Sequence, residues 1–374
     1  MLKPVKVAMI GCGSISGIYL TNITKVFKEL ELVGVCDLIP ERAEKAQKEY
    51  NVPKIYPTMY DAFADPEVEV VLNLTRPYQH FDVSKAALEA GKHVYSEKPL
   101  GADFEEGKKL VALAKEKGLM LGGAPDTYLG AGIQTCRELI DNGAIGKPIG
   151  AACFMICHGH ESWHPDPEFY YKRGGGPMMD MGPYYVTALI NLLGGIKSVT
   201  GVTKTFFPKR LITSEPHCGE IIDVECPTHL TGMLEFDSGA VGTIITTFDV
   251  HYNSQARFEV YGTEGTMMVP DPNGFGGPIQ IYRPEDGEWK EMPLTFDYKE
   301  NSRGIGLADM ACSLRTGSPF RSSWEQTFHV LEVLTSFEKS SESHAAYQME
   351  THYDQRPPIK RHPIHGVLDE GSNL

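Results

Sequence analysis

The sequence predicts an α/β protein in two parts, a parallel sheet wound by helices followed by a strand-rich second domain. Strand-like and helix-like stretches alternate from Val5 to Gly123, the pattern that builds a parallel sheet covered on both faces. Strand patterns then dominate from Val199 to Met292. The 374 residues are roughly two to three times the usual domain length, so two cores are expected.

The elements follow in order. Val5 to Ile10 reads as a buried strand, Ile15 to Phe27 as a helix, and Leu30 to Cys36 as a second strand. Pro40 to Tyr50 is a helix opened by a proline suited to a first turn, and Lys54 to Tyr56 a short third strand. Val68 to Leu74 is a strongly apolar strand, Gln79 to Ala90 a helix stopped by Gly91, and His93 to Ser96 another strand. Helix Phe104 to Lys117 and strand Leu119 to Gly122 complete six strands, as a dinucleotide-binding sheet requires. Beyond them, Pro125 to Asn142 has a helical pattern, Ile149 to Cys157 starts a new strand set, and Met181 to Leu193 is a helix closed by Gly194-Gly195. Strands are expected at Ile221 to Val224, His229 to Phe236, Ala240 to Phe248 and Arg257 to Gly262, with Asp237-Ser238-Gly239 as a hairpin turn.

Composition narrows the partners. Apolar residues make up 41% and charged residues 22%, ordinary globular usage, and no 18-residue apolar run could cross a bilayer. A net charge of −14 repels phosphate backbones and anionic membranes, so neither nucleic acid nor a membrane is an expected partner. The cysteines at 12, 36, 136, 153, 157, 218, 226 and 312 are scattered, and Met1 to Ile10 lacks a separate apolar leader and cleavage site. Reduced thiols in a cytoplasm are the expectation.

Gly11-Cys12-Gly13-Ser14-Ile15-Ser16 lies where strand one hands over to helix one. Gly11 can make the tight turn, Gly13 can let backbone approach a pyrophosphate, and the helix N-terminus supplies amides and a positive dipole end. Ser16 replaces the third glycine, with Gly17 next. Asp37 ends strand two, where a carboxylate accepts from the adenosine-ribose hydroxyls and repels a 2′-phosphate. NAD is favoured over NADP, with the nearby Arg42 partly offsetting that repulsion. Thr75-Arg76-Pro77 and Glu97-Lys98-Pro99 follow the next two strands, at the carboxyl edge where open α/β sheets bind ligands.

These segments, with Tyr78-Gln79-His80 and Ala90-Gly91-Lys92-His93-Val94, together resemble the Gfo/Idh/MocA oxidoreductases, and the likeness extends through Gly174 to Gly182 to the late helices Gly304 to Arg315 and Trp324 to Ser340. The resemblance implies a Rossmann domain over 1–124 and, over 125–374, a substrate-binding and oligomerisation α/β domain with a large, mostly antiparallel open sheet. It also implies NAD or NADP chemistry on a secondary alcohol of a sugar, polyol or related ring. Gly11, Cys12, Gly13, Ser14, Ile15, Asp37, Thr75, Arg76, His80, Glu97 and Lys98 would then face the cofactor, Glu97 at a ribose and Lys98 near the nicotinamide. A lysine becomes a useful base when burial and a neighbouring positive charge lower its pKa.

The broken segment Cys157 to Pro165 supplies recognition groups: Trp163 can stack on a pyranose face while His160 and His164 reach hydroxyls, and Tyr170 to Arg173 extend the surface. His158, Glu161 and His164 also offer ligands for zinc or manganese, but no second ligand cluster or helical frame accompanies them, and no metal is expected. Asp180 reads as the N-cap of the helix that follows. In the family pattern an aspartate is followed four residues on by histidine; here Tyr184 stands in that place. Asp180 and Tyr184 can face one crevice, with Tyr185 the alternative if the helix phase differs.

The reading is an NAD-dependent dehydrogenase with Lys98 and Tyr184 sharing proton transfer and Asp180 orienting them or the substrate. Two alternatives stand beside it: a glycosidase or lyase with tightly bound, recycled NAD, and a non-catalytic NAD-binding sensor. The strand-rich domain has helices for one sheet face only, so a homodimer or homotetramer buries the other. The polar, proline-containing end, Pro357 to Leu374, is expected to wrap a neighbour or stay disordered.

Overall fold

The computed structural model describes residues 2–254, 257–361 and 365–368. Val5–Ile10 forms strand β1, Ser16–Lys25 helix α1, Leu30–Cys36 β2, Pro40–Tyr50 α2 and Lys54–Ile55 β3. Met59–Ala64 is α3, a short helix absent from the sequence expectation, started by a reciprocal cap between Thr58 and Asp61. Val70–Asn73 is β4, His80–Glu89 α4, His93–Ser96 β5, Phe104–Lys117 α5 and Leu121–Gly123 β6. The strand order is β3-β2-β1-β4-β5-β6, all parallel. Chain direction reverses its march across the sheet between β1 and β4, the switch point where such sheets open a crevice.

The second set of elements begins with Ala131–Asp141 (α6) and Pro148–Ile156 (β7), then Pro177–Asp180 (α7) and Gly182–Leu193 (α8). Ile196–Lys204 (β8), Lys209–Leu211 (β9), Ile221–Asp223 (β10), His229–Phe236 (β11), Val241–Thr247 (β12) and Phe258–Gly262 (β13) follow, then Thr266–Met268 (β14), Ile279–Tyr282 (β15) and Trp289–Met292 (β16). The late elements are Ile305–Thr316 (α9), Trp324–Ser343 (α10) and Tyr347–Gln348 (β17). A nine-stranded sheet runs β16-β15-β14-β13-β7-β12-β11-β8-β17, antiparallel except where β7 pairs with β12. The expected hairpin at 237–239 is present, with Gly239 at φ 86°. Ile221–Asp223 is a correction: it pairs with β9 in a separate two-stranded ribbon rather than joining the large sheet.

One face of that sheet is covered. All twelve residues of α8 are buried, and a Cβ at Gly201 or Gly232 would come within 2.7 Å of the Phe337 ring from α10. Glycine at both positions lets the aromatic ring lie against β8 and β11. On the other face Val202, Met233 and Val241 are 52%, 59% and 59% exposed.

Packing divides the chain into two compact units, 1–131 with 296–328 and 356–374, and 132–295 with 329–355. A single boundary at 124 therefore does not describe the first unit. Its later segments return because they are bonded there: Asp126 Oδ2 accepts from the amides of Gly304 (2.8 Å) and Gly306 (3.1 Å), capping α9, and Arg315 donates to Glu69 (2.8 Å) and to the Lys3 and Pro4 carbonyls. The described part of the tail is ordered against the same unit, contrary to expectation. Val367 and Leu368 are buried, Leu368 N donates to Glu29 (2.6 Å), and Arg321 donates to the carbonyls of Pro357 and Pro358. The rest of the predicted tail, 362–364 and 369–374, lies outside the described residues.

Candidate active site

In the first unit, β1 ends at a turn shaped for close backbone approach. Gly11 has φ 99°, and a Cβ there would lie 2.6 Å from the Leu74 carbonyl oxygen, so the fold itself demands glycine. At Gly13 a Cβ would meet nothing within 4 Å; the space is left by the chain and suits an approaching pyrophosphate. Ile15, the N-cap of α1, has no side-chain acceptor to offer the first-turn amides, of which Ser16 N donates to the Gly13 carbonyl (3.1 Å). Ser16 is turned inward, its hydroxyl donating to the Gly13 carbonyl (2.7 Å). Asp37 accepts from Cys12 N (2.6 Å) and Ile39 N (2.8 Å), which ties the end of β2 to the glycine turn. Each carboxylate oxygen has a further lone pair for a ribose hydroxyl. Burial, with Asp37 beside it, pushes the Cys12 thiol up to about 12, so this cysteine acts as a small packed group. The open space at Gly13, the start of α1 and the carboxylate after β2 fit an adenine dinucleotide.

Thr75 and Arg76 follow β4. Asn73, fully buried and not singled out by sequence reasoning, shapes this loop: it accepts from Thr75 N (3.2 Å) and Oγ1 (2.6 Å) and donates to His80 O and Ser84 Oγ. His80 is placed differently from its expected cofactor contact. It is buried, with Nδ1 2.8 Å from Pro99 O and Nε2 3.0 Å from Thr75 O, so the ring ties the loop after β4 to the loop after β5. Burial lowers its pKa. Glu97 is buried too. Its carboxylate accepts from Tyr19 Oη (2.8 Å) and Lys98 N (3.0 Å), which fixes the backbone from which the half-buried Lys98 extends.

In the second unit the segment 157–166 is pinned from below. Arg210, buried on β9, pairs with Glu161 Oε1 (3.1 Å) and with Asp249, and donates to Phe248 O (2.7 Å). Glu161 also accepts from Tyr171 Oη (2.6 Å), while its carbonyl accepts from Thr213 N (2.9 Å) and Ser214 N (3.0 Å). Ser214 Oγ donates to His164 O (2.6 Å). This brace escaped the sequence because Arg210 and Glu161 lie far apart in it, and only the β9–β10 ribbon brings them together. On the braced loop, Trp163 is 61% exposed and His160 is 9% exposed, its ring packed on Tyr170 (4.3 Å), Phe248 (4.7 Å) and Trp163 (5.2 Å).

Three expectations change here. Asp180 does not cap the long helix: it ends α7, Met181 is the N-cap of α8 without a side-chain bond, and the carboxylate meets His160 instead, Nε2 to Oδ2 3.3 Å. Tyr184 is buried in the first turn of α8, while Tyr185 is fully buried against Phe258 and burial pushes its phenol above the ordinary range. Tyr171 belongs to the interior, not to the surface. His158 stacks on His251 (3.6 Å), Glu161 is held by Arg210, and His164 Nδ1 accepts from Asp166 N (3.0 Å), so the three candidate ligands serve separate contacts. Among the described residues no group of three or more His, Cys, Asp or Glu side chains is placed to hold a metal ion.

A parallel sheet ordered 3-2-1-4-5-6, with a glycine turn at its switch point and a carboxylate after its second strand, is the arrangement of the dinucleotide-binding Rossmann class. Residues 5–123 match the model of the oxidoreductase family with an NAD-binding Rossmann fold, and residues 133–268 that of the GFO/IDH/MocA C-terminal domain. The chain belongs to the Gfo/Idh/MocA oxidoreductase family. Among its relatives, the scyllo-inositol 2-dehydrogenase (NAD(+)) of Bacillus subtilis strain 168 is 29% identical over 72% of this chain and 75% of its own length. The D-glucoside 3-dehydrogenase of Escherichia coli K12 is 27% identical over 91% and 96%. The levoglucosan dehydrogenase structure in complex with NADH and levoglucosan superposes with a TM-score of 0.80 at 20% identity, covering 93% of this chain and 100% of that one, a likeness of fold. Among the described residues no helix is long and apolar enough to cross a membrane.

Proposed function

We propose that the chain is an NAD-dependent dehydrogenase acting on a secondary alcohol of a sugar, glycoside or cyclitol. One observation carries the reading. The glycine turn after β1, Thr75-Arg76 after β4 and Glu97-Lys98 after β5 share the carboxyl edge of three adjacent parallel strands. When bound, NAD supplies the hydride acceptor for the carbinol carbon. Gly11 to Ile15 hold the pyrophosphate, Asp37 the adenosine ribose, Thr75 and Arg76 the far half of the dinucleotide, and Glu97 a ribose hydroxyl. Lys98 with Tyr184 takes or returns the hydroxyl proton, and Asp180 orients the hydroxyl. Trp163 stacks on the apolar face of the ring while His164 reaches its hydroxyls; His160, 9% exposed, turns its Nε2 to Asp180 instead. The inositol, glucoside and levoglucosan dehydrogenases among the similar proteins support this substrate class.

The exposed apolar residues Val202, Met233 and Val241 support a homodimer or homotetramer closed over that sheet face. Eight free thiols support a reducing, cytoplasmic setting. The test is NADH formation across sugars, glycosides and inositols with wild type and Lys98→Met. The variant is expected to keep NAD-induced stabilisation and lose turnover; unchanged turnover, or cleavage of a glycoside without net NADH, rejects the reading.

A further inference from the structure

The contact between His160 and Asp180 is over-determined for a surface loop. Asp180 sits at the end of a four-residue helical turn, one residue before Met181, the N-cap of α8. Its partner comes from a different segment, 20 residues earlier, and the side chains retain only 11% and 16% of their exposure. His160 has little freedom to leave. Trp163, Tyr170 and Phe248 enclose the ring, the carbonyl of His160 accepts from the amides of Trp163 (3.3 Å) and His164 (3.0 Å), and the neighbouring Glu161 is locked to Arg210. An imidazole N–H donating to one carboxylate oxygen fixes the plane of the carboxylate and leaves its second oxygen oriented. Beside this pair lies the exposed Trp163, an apolar platform of the size of a sugar ring.

We propose that His160 is a positioning residue: through its bond to Asp180 it aims that carboxylate at the substrate hydroxyl beside the Trp163 platform. The proposal rests on the dehydrogenase reading for the identity of the hydroxyl, and on the geometry of the second unit alone for the couple. His160 need not exchange a proton with substrate; it need only donate an N–H to the carboxylate. Glutamine, whose amide carries a donor, should therefore replace it, and leucine should not.

The experiment uses the full chain with His160→Gln, His160→Leu and Asp180→Ala, the last because alanine, unlike asparagine, carries no side-chain acceptor. In wild type, proton NMR should show a slowly exchanging imidazole N–H of His160 that disappears in Asp180→Ala. His160→Leu should lower kcat about 100-fold, the size expected when a reacting group is misaligned by about 1 Å. His160→Gln should stay within about fivefold of wild type, and both should bind NADH with unchanged affinity. Persistence of the N–H signal in Asp180→Ala overturns the proposal, as do equal activities for the Gln and Leu variants. Should Leu fail to fold, the Gln variant and the N–H signal still decide. Failure of the dehydrogenase reading looks different: wild type makes no NADH from any polyol while the N–H signal remains tied to Asp180.

Discussion

Replacing Gly11 and Gly13 by alanine, one at a time, is expected to damage different properties of the first unit. At Gly11 the backbone has φ 99° and a Cβ would lie 2.6 Å from the Leu74 carbonyl oxygen and 2.8 Å from its carbon. Such a φ costs a residue with a Cβ about 1–3 kcal/mol. The clash with backbone adds to that, and the stiffer unfolded chain returns only about 0.4–1 kcal/mol. A net loss of about 2 kcal/mol lowers Tm by roughly 4–8 °C in a unit of this size. At Gly13 a Cβ would meet nothing within 4 Å, so Gly13→Ala should leave stability within about 0.5 kcal/mol of wild type. The methyl group instead fills the approach of a pyrophosphate to the backbone and raises the NAD Kd about 10- to 100-fold, near 1.4 kcal/mol per factor of ten. Thermal melts with and without NAD, with calorimetric titration, separate the two, because a ligand raises the midpoint only through native-state binding. Wild-type NAD affinity in Gly13→Ala, or an unchanged Tm in Gly11→Ala, would refute the reasoning.

Three further outcomes are expected. Asp37→Ala removes the acceptor for Cys12 N and Ile39 N and the repulsion of a 2′-phosphate. NAD affinity should fall about tenfold and the preference over NADP should narrow, read as the stabilisation each nucleotide confers. Arg210→Met leaves the buried Glu161 and Asp249 without their shared cation, a loss of about 3–5 kcal/mol in the second unit, measured by urea denaturation; an unchanged midpoint would show that the ion cluster is dispensable. Burial raises Asp126 from 3.8 to about 6, so between those values the folded chain holds a proton that the unfolded chain has released. Stability from this group is therefore full below about pH 4 and declines as pH rises through 6, and the difference between wild type and Asp126→Asn should show that slope and flatten above it.

Local chemistry made the first unit legible. α5 spans the residues its pattern predicts, 104 to 117, because both ends are signalled in sequence: Asp103 accepts from Glu106 N (2.9 Å) and Gly118 closes the helix at φ 65°. β1, β2, α2 and β5 were equally readable, each bounded by a proline, a glycine or a change of hydrophobic period. The glycine turn and Asp37 belong to the same class, since strand, turn and helix are contiguous and their geometry is set within a few residues. What stayed hidden depends on partners distant in the chain. Asp126 meets Gly304 across 178 residues, and no short-range pattern announces that α9 returns to the first unit.

The second unit shows why the same limit falls on the site itself. From sequence, capping is a sufficient reason for an aspartate before a helix, so Asp180 had a local explanation. The structure gives that carboxylate a partner on the preceding loop instead, and the loop holds its shape because Arg210 gathers Glu161 and Asp249. Each residue has an ordinary reading alone: a loop histidine, a surface glutamate, a strand arginine. Their combined meaning comes from the ribbon β9–β10, whose register, Arg210 opposite Ile222, turns the guanidinium inward. Changing that register by one residue would move Arg210 to the outer face and leave Glu161 and Asp249 uncompensated. Substitutions that slip the ribbon should therefore disturb the His160–Asp180 contact without touching either residue, and the imidazole N–H signal of His160 is where that loss would be seen.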